Sequence, residues 1–127
     1  MSYQFNQQII HNADGKIEFR RFRPGGRDHY QVKIWLEGDN DEIARVTAVD
    51  YQLHASFKQP ARSSSNPDDN FAITIWTWGM FNIDAVIHLE DGTSTNQTFF
   101  LNYELPEDNG KNYIDLTPGD LESGQAT

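Results

Sequence analysis

The sequence predicts an all-β fold, a sandwich or a barrel, in a single domain. Apolar residues alternate with polar ones in short segments, and Gly, Pro, Asn and Asp recur between those segments. Aromatic residues, which favour strands, make up 13% of the chain, and helix-favouring runs of Ala, Leu and Glu are missing. This combination is typical of antiparallel sheets. A chain of 127 residues has the length of one domain with one core.

Two strands are predicted early in the chain. Ile17 and Phe19 alternate with charged residues, and the Pro-Gly-Gly stretch at 24–26 ends that strand. Residues 31–36 alternate in the same way before a turn at 38–41. We expect these two strands to begin a meander.

The longest alternating segment, residues 43–57, carries two candidate functional side chains. Tyr51 and Leu53 lie on one face of the predicted strand. Because side chains alternate between the two faces of a strand, His54 and Ser56 are expected on the other face, away from the core.

A loop and a further strand follow. Residues 58–70 contain two prolines, a run of three serines and an Asn-Pro-Asp-Asp sequence, so they predict a loop. The strand after it begins at Phe71 and ends in Trp76-Thr77-Trp78-Gly79. Of the two tryptophans, we expect Trp78 to be the exposed one.

A hairpin is predicted next, followed by an acidic end. Residues 81–89 keep an unbroken period of two, and the Asp-Gly pair at 91–92 predicts a turn into a strand at 99–103. Later residues are acidic and mostly polar. We expect the β-sandwich domain to span residues 1–116 and residues 117–127 to be a flexible acidic tail.

The charge and composition narrow the classes of function and location. The net charge of −9 argues against sequence-independent binding to nucleic acid, which needs clustered Lys and Arg, and makes a basic partner the better match. Without Cys, a disulfide or a thiolate metal site is impossible. The N-terminus lacks the features of a signal peptide, and no apolar run approaches the ~20 residues of a membrane span. We expect a cytoplasmic protein, or a nuclear one in a eukaryote, without membrane contact.

Catalysis and metal binding are both disfavoured. His54 and Ser56 are expected about 6.5 to 7 Å apart along a regular strand, too far for direct proton transfer without a bend. The Gly-x-Ser-x-Gly sequence of nucleophile turns is absent. The four histidines are scattered without ligand spacing, so we expect no metal and no cofactor. The chain is not expected to be an enzyme.

A binding slot suits the same residues better. An acylated lysine presents a neutral planar amide on an aliphatic stem, and its recognition requires a hydroxyl, a backbone N–H and aromatic faces. The candidate ligand-binding residues that supply this set are His54, Ser56, Phe57, Trp78, Gly79 and Phe81. Gly79 would let the backbone approach the ligand closely.

The order of these segments resembles the signature of the YEATS domain, a reader of acylated lysine. The resemblance rests on His54-Ala55-Ser56-Phe57 at the end of an apolar strand and on Trp78-Gly79-Met80-Phe81 at the start of the next, and covers about residues 17–105. It implies an immunoglobulin-like β-sandwich with an acyl-lysine channel between two loops at one end. An open channel would admit crotonyl-lysine as well as acetyl-lysine.

The resemblance also implies roles for single residues. Ser56 would bind the acyl amide, and the Trp78 backbone N–H would bind the acyl carbonyl. Phe57 and Trp78 would sandwich the acyl plane, while His54 and Phe81 would close the pocket.

Three positions depart from the family pattern. Thr77 stands where Gly is usual, Ala55 replaces the usual Pro, and Asp68-Asp69 replace Pro-Pro. The acidic charge and short length are closer in character to bacterial YEATS-like proteins than to nuclear ones, so histones are not the expected partner.

Two other functions stay open at this point. One is a protein–protein interaction domain with a degenerate pocket, which would dock a partner through its edge strands. The other is a carbohydrate-binding module, because exposed tryptophan faces stack on sugars. The basic cluster at 20–23 is interpreted as a solvated edge strand, where charge discourages aggregation, rather than as an anion site.

Overall fold

The computed structural model describes residues 3–22 and 25–116 of the chain, which form two facing β-sheets. The strands are β1 (Gln4–Ile9), β2 (Ile17–Arg20), β3 (His29–Glu37), β4 (Val46–Gln52), β5 (Ala61–Ser64), β6 (Ile73–Thr77), β7 (Asn82–Leu89), β8 (Ser94–Phe100) and β9 (Tyr113–Asp115). A single-turn helix α1 (Asn40–Ile43) and a 3-10 turn (Pro67–Asp69) lie in the connections.

The first sheet is built around β3. Strands β1 and β2 pair antiparallel with β3, through contacts such as Ile9 with Val32 and Phe19 with Tyr30, and β6 pairs with β3 as well. Strand β9 runs parallel to β2. The basic cluster at 20–23 was expected on an edge strand. Arg20 ends β2, which lies between β3 and β9, and Arg21 and Phe22 follow the strand, so for these described residues the expectation is wrong.

The second sheet has the order β5-β4-β7-β8 and is antiparallel throughout. The predicted hairpin is confirmed, since β7 and β8 pair from His88 with Ser94 to Asn82 with Phe100. Its second strand spans Ser94–Phe100 and not the predicted residues 99–103. Gly92 in its turn has a φ of 87°, a conformation that glycine adopts without strain.

The core lies between the two sheets and follows the period of two read from the sequence. Its fully buried side chains include Val32, Ile34, Leu36 and Ile75 from the first sheet and Val49, Tyr51, Ile83 and Ile87 from the second. The Tyr51 hydroxyl donates a hydrogen bond to the Phe71 carbonyl at 2.6 Å, which satisfies both polar groups inside the core. The predicted all-β, immunoglobulin-like sandwich is therefore confirmed.

Several local predictions differ from the structure. The longest predicted strand ends at Gln52 rather than at residue 57, and the predicted loop at 58–70 contains β5. Strands β1 and β9 were not predicted. The proposed tail at 117–127 lies outside the described residues, so the domain boundary stays a prediction. Within the described residues, no helix is long and apolar enough to cross a membrane.

Candidate functional site

The two loops that carry the candidate residues lie at the same end of the sandwich. Strand β4 ends at Gln52, opposite Asp84 near the start of β7. The loop after β4 and the loop before β7 therefore adjoin each other. The second of these loops also connects to β6, whose last residue, Thr77, pairs with Tyr30 at the start of β3. The segment that precedes β3 is thus at this end of the molecule as well.

The first loop is a tight turn held by the side chain of His54. The Phe57 N–H donates to the His54 carbonyl at 3.0 Å, and the Ser56 N–H donates to His54 Nδ1 at 3.1 Å. Ser56 Oγ lies 2.8 Å from the same nitrogen. Since Nδ1 accepts from a peptide N–H, it is the unprotonated nitrogen of the ring, and the Ser56 hydroxyl donates to it.

This turn corrects the expected spacing of His54 and Ser56. The estimate of about 6.5 to 7 Å assumed a regular strand, but β4 has ended at Gln52 and the backbone bends. Both side chains are exposed, as expected. In their contact the hydroxyl proton is engaged by the imidazole, and the two lone pairs of Ser56 Oγ stay available to accept a hydrogen bond.

Aromatic rings form the wall behind this turn. Phe57 is 8% exposed, and its ring centroid lies 5.3 Å from that of Phe81 at an interplanar angle of 56°. Phe81 also meets His54 edge to face at 6.0 Å. The Phe81 carbonyl accepts from Leu101 N–H at 2.8 Å, which ties the loop to the end of β8. The structure thus brings together His54, Ser56, Phe57 and Phe81.

The second loop is braced from inside the sandwich by Thr77. This residue is 2% exposed, so it points into the core rather than into the predicted slot. Its hydroxyl donates to the Gly79 carbonyl at 3.1 Å and accepts from Gly79 N–H at 3.3 Å. Tyr103 adds a second donor to the Gly79 carbonyl at 3.2 Å. Burial raises the pKa of the Tyr103 hydroxyl, which keeps it a neutral donor.

The bracing leaves the Trp78 backbone N–H free. Among residues 3–22 and 25–116, no group accepts a hydrogen bond from it. Gly79 is half-buried, and a Cβ added there would meet nothing within 4 Å, so its lack of a side chain keeps this surface open.

The ring of Trp78 points toward the segment before β3. It is 47% exposed, whereas Trp76 is half-buried and packs edge to face on Phe22, so the expectation that Trp78 is the exposed tryptophan is confirmed. Arg27 Cζ lies 4.3 Å from the centre of the Trp78 ring. Among the described residues, Arg27 is the group that contacts the Trp78 ring. The expectation that Trp78 and Phe57 sandwich the acyl plane of a ligand stays a prediction.

The surroundings of His54 and Ser56 bear on the question of catalysis. In the described ranges, no carboxylate is hydrogen-bonded to His54, so the third member of a Ser-His-acid arrangement is not in place. No group of three or more His, Asp or Glu side chains that could hold a metal ion occurs there either. A site with a hydroxyl acceptor, a peptide donor and aromatic rings is suited to binding an amide.

Trp35 and Trp78 also bear on the carbohydrate alternative. Lys33 Nζ lies 5.9 Å from the ring centre of Trp35, whose Nε1 donates to Glu37 at 2.9 Å. Arg27 covers a face of Trp78. A cation thus lies over one face of each of these two rings.

Three residues near the site were not predicted as part of it. Tyr103 was assigned only to the last strand, and Thr77 only as a departure from the family pattern. Arg27 lies beyond the Pro-Gly-Gly stretch and carries no local sign of its contact with Trp78. Their roles come from tertiary contacts, which alternation and turn signals do not report.

Comparison with known proteins gives a consistent result. The sequence model of the prokaryotic YEATS domain matches residues 30–102. No curated protein sequence matches significantly.

Solved structures of the Yaf9 YEATS domain are similar in fold. The domain recognizing an H3K122suc peptide has a TM-score of 0.56 and 19% identity, over 80% of this chain and 70% of that one. The domain bound to H3K27ac has a TM-score of 0.54 and 18% identity, over 84% and 72%. The yeast AF-9 homolog protein Yaf9 has a TM-score of 0.54 and 17% identity, over 80% and 69%.

Proposed function

The chain belongs to the prokaryotic YEATS domain family, and from this premise we propose that it is a non-catalytic reader of acylated lysine, such as acetyl-lysine or crotonyl-lysine, on a protein or peptide partner. The site is the end of the sandwich formed by the turn at His54 to Phe57 and the loop at Trp78 to Phe81. The Yaf9 domains with H3K27ac and H3K122suc peptides support an acylated peptide as the class of ligand.

The observation that carries the proposal is the hydrogen bond between Ser56 and His54. Its 2.8 Å length and the acceptor role of Nδ1 fix the hydroxyl proton on the imidazole side. Ser56 then offers lone pairs to a donor, which is what the N–H of an acyl amide requires. An unmodified lysine carries a charged ammonium instead, and no carboxylate at this turn would compensate the cost of desolvating it.

The carbonyl of the acyl amide needs a donor, and Trp78 provides one. Its backbone N–H has no acceptor among the described residues, and the Thr77 and Tyr103 bonds to Gly79 hold the neighbouring peptide in place. A receptor that is already ordered loses less entropy on binding. Phe57 and Phe81 supply apolar faces for the acyl chain.

The test is a titration followed by NMR, with labelled protein and peptides that carry acetyl-lysine, crotonyl-lysine or unmodified lysine. Wild type is compared with Ser56→Ala and, as matched control, Ser65→Ala. Ser65 is exposed and follows β5, where the neighbouring Ser64 pairs with Val49, away from the Gln52 end of β4.

We expect shifts confined to residues 54–57 and 78–81, seen only with acylated peptides. Loss of the Ser56 hydroxyl leaves the amide N–H of the ligand without an acceptor, which costs about 1 to 3 kcal/mol, or roughly 5- to 150-fold in Kd. Ser65→Ala should bind like wild type. The absence of shifts at millimolar peptide would contradict the proposal and favour an interaction domain that docks a partner by its edge strands.

A further inference from the structure

The segment before β3 concentrates positive charge in an acidic protein. The net charge is −9, yet four of the ten basic residues lie between residues 20 and 27, where there is no acidic residue. This basic segment leads into β3 and so lies at the end of the sandwich that carries the proposed acyl-lysine site. The sequence of this segment is therefore basic within an acidic chain.

The described arginines of this segment differ in how their charges are compensated. Arg21 Nε donates to Asp28 at 2.8 Å and forms an ion pair with it. Arg20 lies over the rings of Phe22 and Trp76, at 5.0 and 5.8 Å, and its buried Nε has no hydrogen-bond partner among the described residues.

Arg27 is the arginine that is free to meet a ligand. Its side chain is exposed, and no carboxylate of the described ranges lies within ion-pair distance of it. Its guanidinium is held over Trp78, which orients the group without using its N–H donors.

The main chain at Arg27 is held by His29. His29 is 7% exposed, and its Nδ1 lies 2.9 Å from the Arg27 carbonyl, to which it therefore donates. The ring of Phe22 packs edge to face on His29 at 4.9 Å. A recess of about 570 Å³ opens here, lined among others by Arg21, Arg27, Asp28, Tyr30 and Trp78. Asp28 is paired with Arg21, so Arg27 supplies the uncompensated charge of this lining.

We propose that this basic recess binds a carboxylate side chain of the acylated partner, so that the protein prefers an acyl-lysine with Asp or Glu nearby in sequence. The inference rests on the proposed reader function. Trp78 would serve both sites, since its backbone N–H is free for the acyl carbonyl while its ring holds Arg27. A guanidinium can bind a carboxylate through two parallel hydrogen bonds, which makes it selective as well as attractive. The expectation of a basic partner, drawn from the net charge of −9, stays a prediction for the partner as a whole, and the proposal concerns only the sequence around the acyl-lysine.

The distances along an extended peptide limit where the acidic residue can lie. Each extended residue spans about 3.3 to 3.6 Å, and Arg27 stacks directly on a residue of the acyl site. We therefore expect the preferred acidic residue within about three positions of the acyl-lysine, on one side of it.

The experiment measures Kd by calorimetry for five peptides of equal length. Three contain acetyl-lysine flanked by Glu, by Gln or by Lys, the fourth contains succinyl-lysine flanked by Gln, and the fifth contains unmodified lysine flanked by Glu. Proteins are wild type, Arg27→Gln, the charge reversal Arg27→Glu, and Lys33→Gln as matched control. Lys33 is exposed and lies over Trp35, away from the recess. Lys33→Gln therefore removes one positive charge, as Arg27→Gln does, at a different tryptophan.

We expect wild type to bind the Glu-flanked peptide roughly 5- to 20-fold more tightly than the Lys-flanked one, as for a partly exposed charge-assisted pair. Arg27→Gln should remove most of this preference, Arg27→Glu should reverse it, and Lys33→Gln should keep it. The reversal is a gain of binding, so it cannot result from misfolding.

Three outcomes would overturn the inference or separate it from the reader function. An unchanged order of affinities in both Arg27 variants would refute it. A gain for the succinyl peptide that depends on Arg27, without any gain from flanking Glu, would assign the carboxylate to the acyl chain and also refute it. Equal binding of Glu-flanked peptides with acetylated and unmodified lysine, still dependent on Arg27, would support the recess and contradict the reader.

Discussion

Replacing Thr77 by Val should show that a buried hydroxyl holds the proposed carbonyl-binding loop. Val keeps the shape of Thr77 in the core and removes both of its hydrogen bonds to Gly79, at 3.1 and 3.3 Å. Thr77→Ser is the complementary change, because it keeps the hydroxyl and removes a methyl group from a residue that is 2% exposed. The two variants separate hydrogen bonding from packing at one position.

The expected losses of stability follow from the lengths of the two hydrogen bonds to Gly79. Both bonds are long, and each contributes about 0.5 to 1 kcal/mol, so Thr77→Val should lower the free energy of unfolding by about 1 to 2 kcal/mol. With a urea slope of about 2 kcal/mol per M, the midpoint of unfolding falls by about 0.5 to 1 M. Thr77→Ser should cost about 1 kcal/mol through the lost methyl burial.

The assay combines urea unfolding with the peptide titration. Thr77→Val should weaken acetyl-lysine binding, because the Trp78–Gly79 peptide is no longer held, while Thr77→Ser should bind within about two-fold of wild type, since a similar hydroxyl remains. If Thr77→Val has the same urea midpoint and the same Kd for the peptide as wild type, the hydroxyl does not brace the loop and the reasoning is wrong.

Three further variants test other parts of the structure. Tyr51→Phe leaves the buried Phe71 carbonyl without a donor, and equilibrium unfolding should show a loss of about 1 to 3 kcal/mol. Burial, and then the charge of Asp69, raises the pKa of Tyr51, so the stabilisation from its neutral hydroxyl is complete below about pH 10 and is lost progressively at higher pH. If the free energy of unfolding of Tyr51→Phe falls as steeply with pH above pH 10 as that of wild type, this explanation is wrong. His54→Ala frees the Ser56 hydroxyl to rotate, and calorimetry should show weaker acyl-lysine binding than wild type but a smaller loss than for Ser56→Ala; an equal or larger loss would mean that His54 contacts the ligand itself. Phe81→Ala removes the ring that packs on His54 and Phe57, so both stability and affinity should fall, whereas Phe100→Ala, at an exposed ring, should change neither.

The fold was largely predictable because burial follows the period of two in most strands. Strands β4 and β7 bury alternate residues such as Val49, Tyr51, Ile83 and Ile87, and these are the positions where the alternation is clearest. Strand β1 was not predicted because Gln7 lies between Phe5 and Ile9, at a position where an apolar residue would complete the alternation of apolar and polar residues.

The site was predictable in its residue types but not in its geometry. His54 and Ser56 were selected from the sequence, yet their contact depends on where β4 ends. Residues 53–57 contain no Gly or Pro to signal a turn, and the bend is instead stabilised by the His54 side chain. The contact between Arg27 and Trp78 joins residues that are distant in sequence, so no local pattern could indicate it.

The two turns that carry the proposed site are stabilised by the same device. In each, a side chain bonds to the backbone N–H two residues later: His54 to Ser56, and Thr77 to Gly79. Each bond leaves one group of the proposed site unused, namely the lone pairs of Ser56 Oγ and the backbone N–H of Trp78. Because these groups are ordered before a ligand arrives, the amide of the proposed ligand would donate to Ser56 Oγ and accept from the Trp78 N–H at a low entropic cost. Thr77, which departs from the family pattern, is buried and braces this loop from the core.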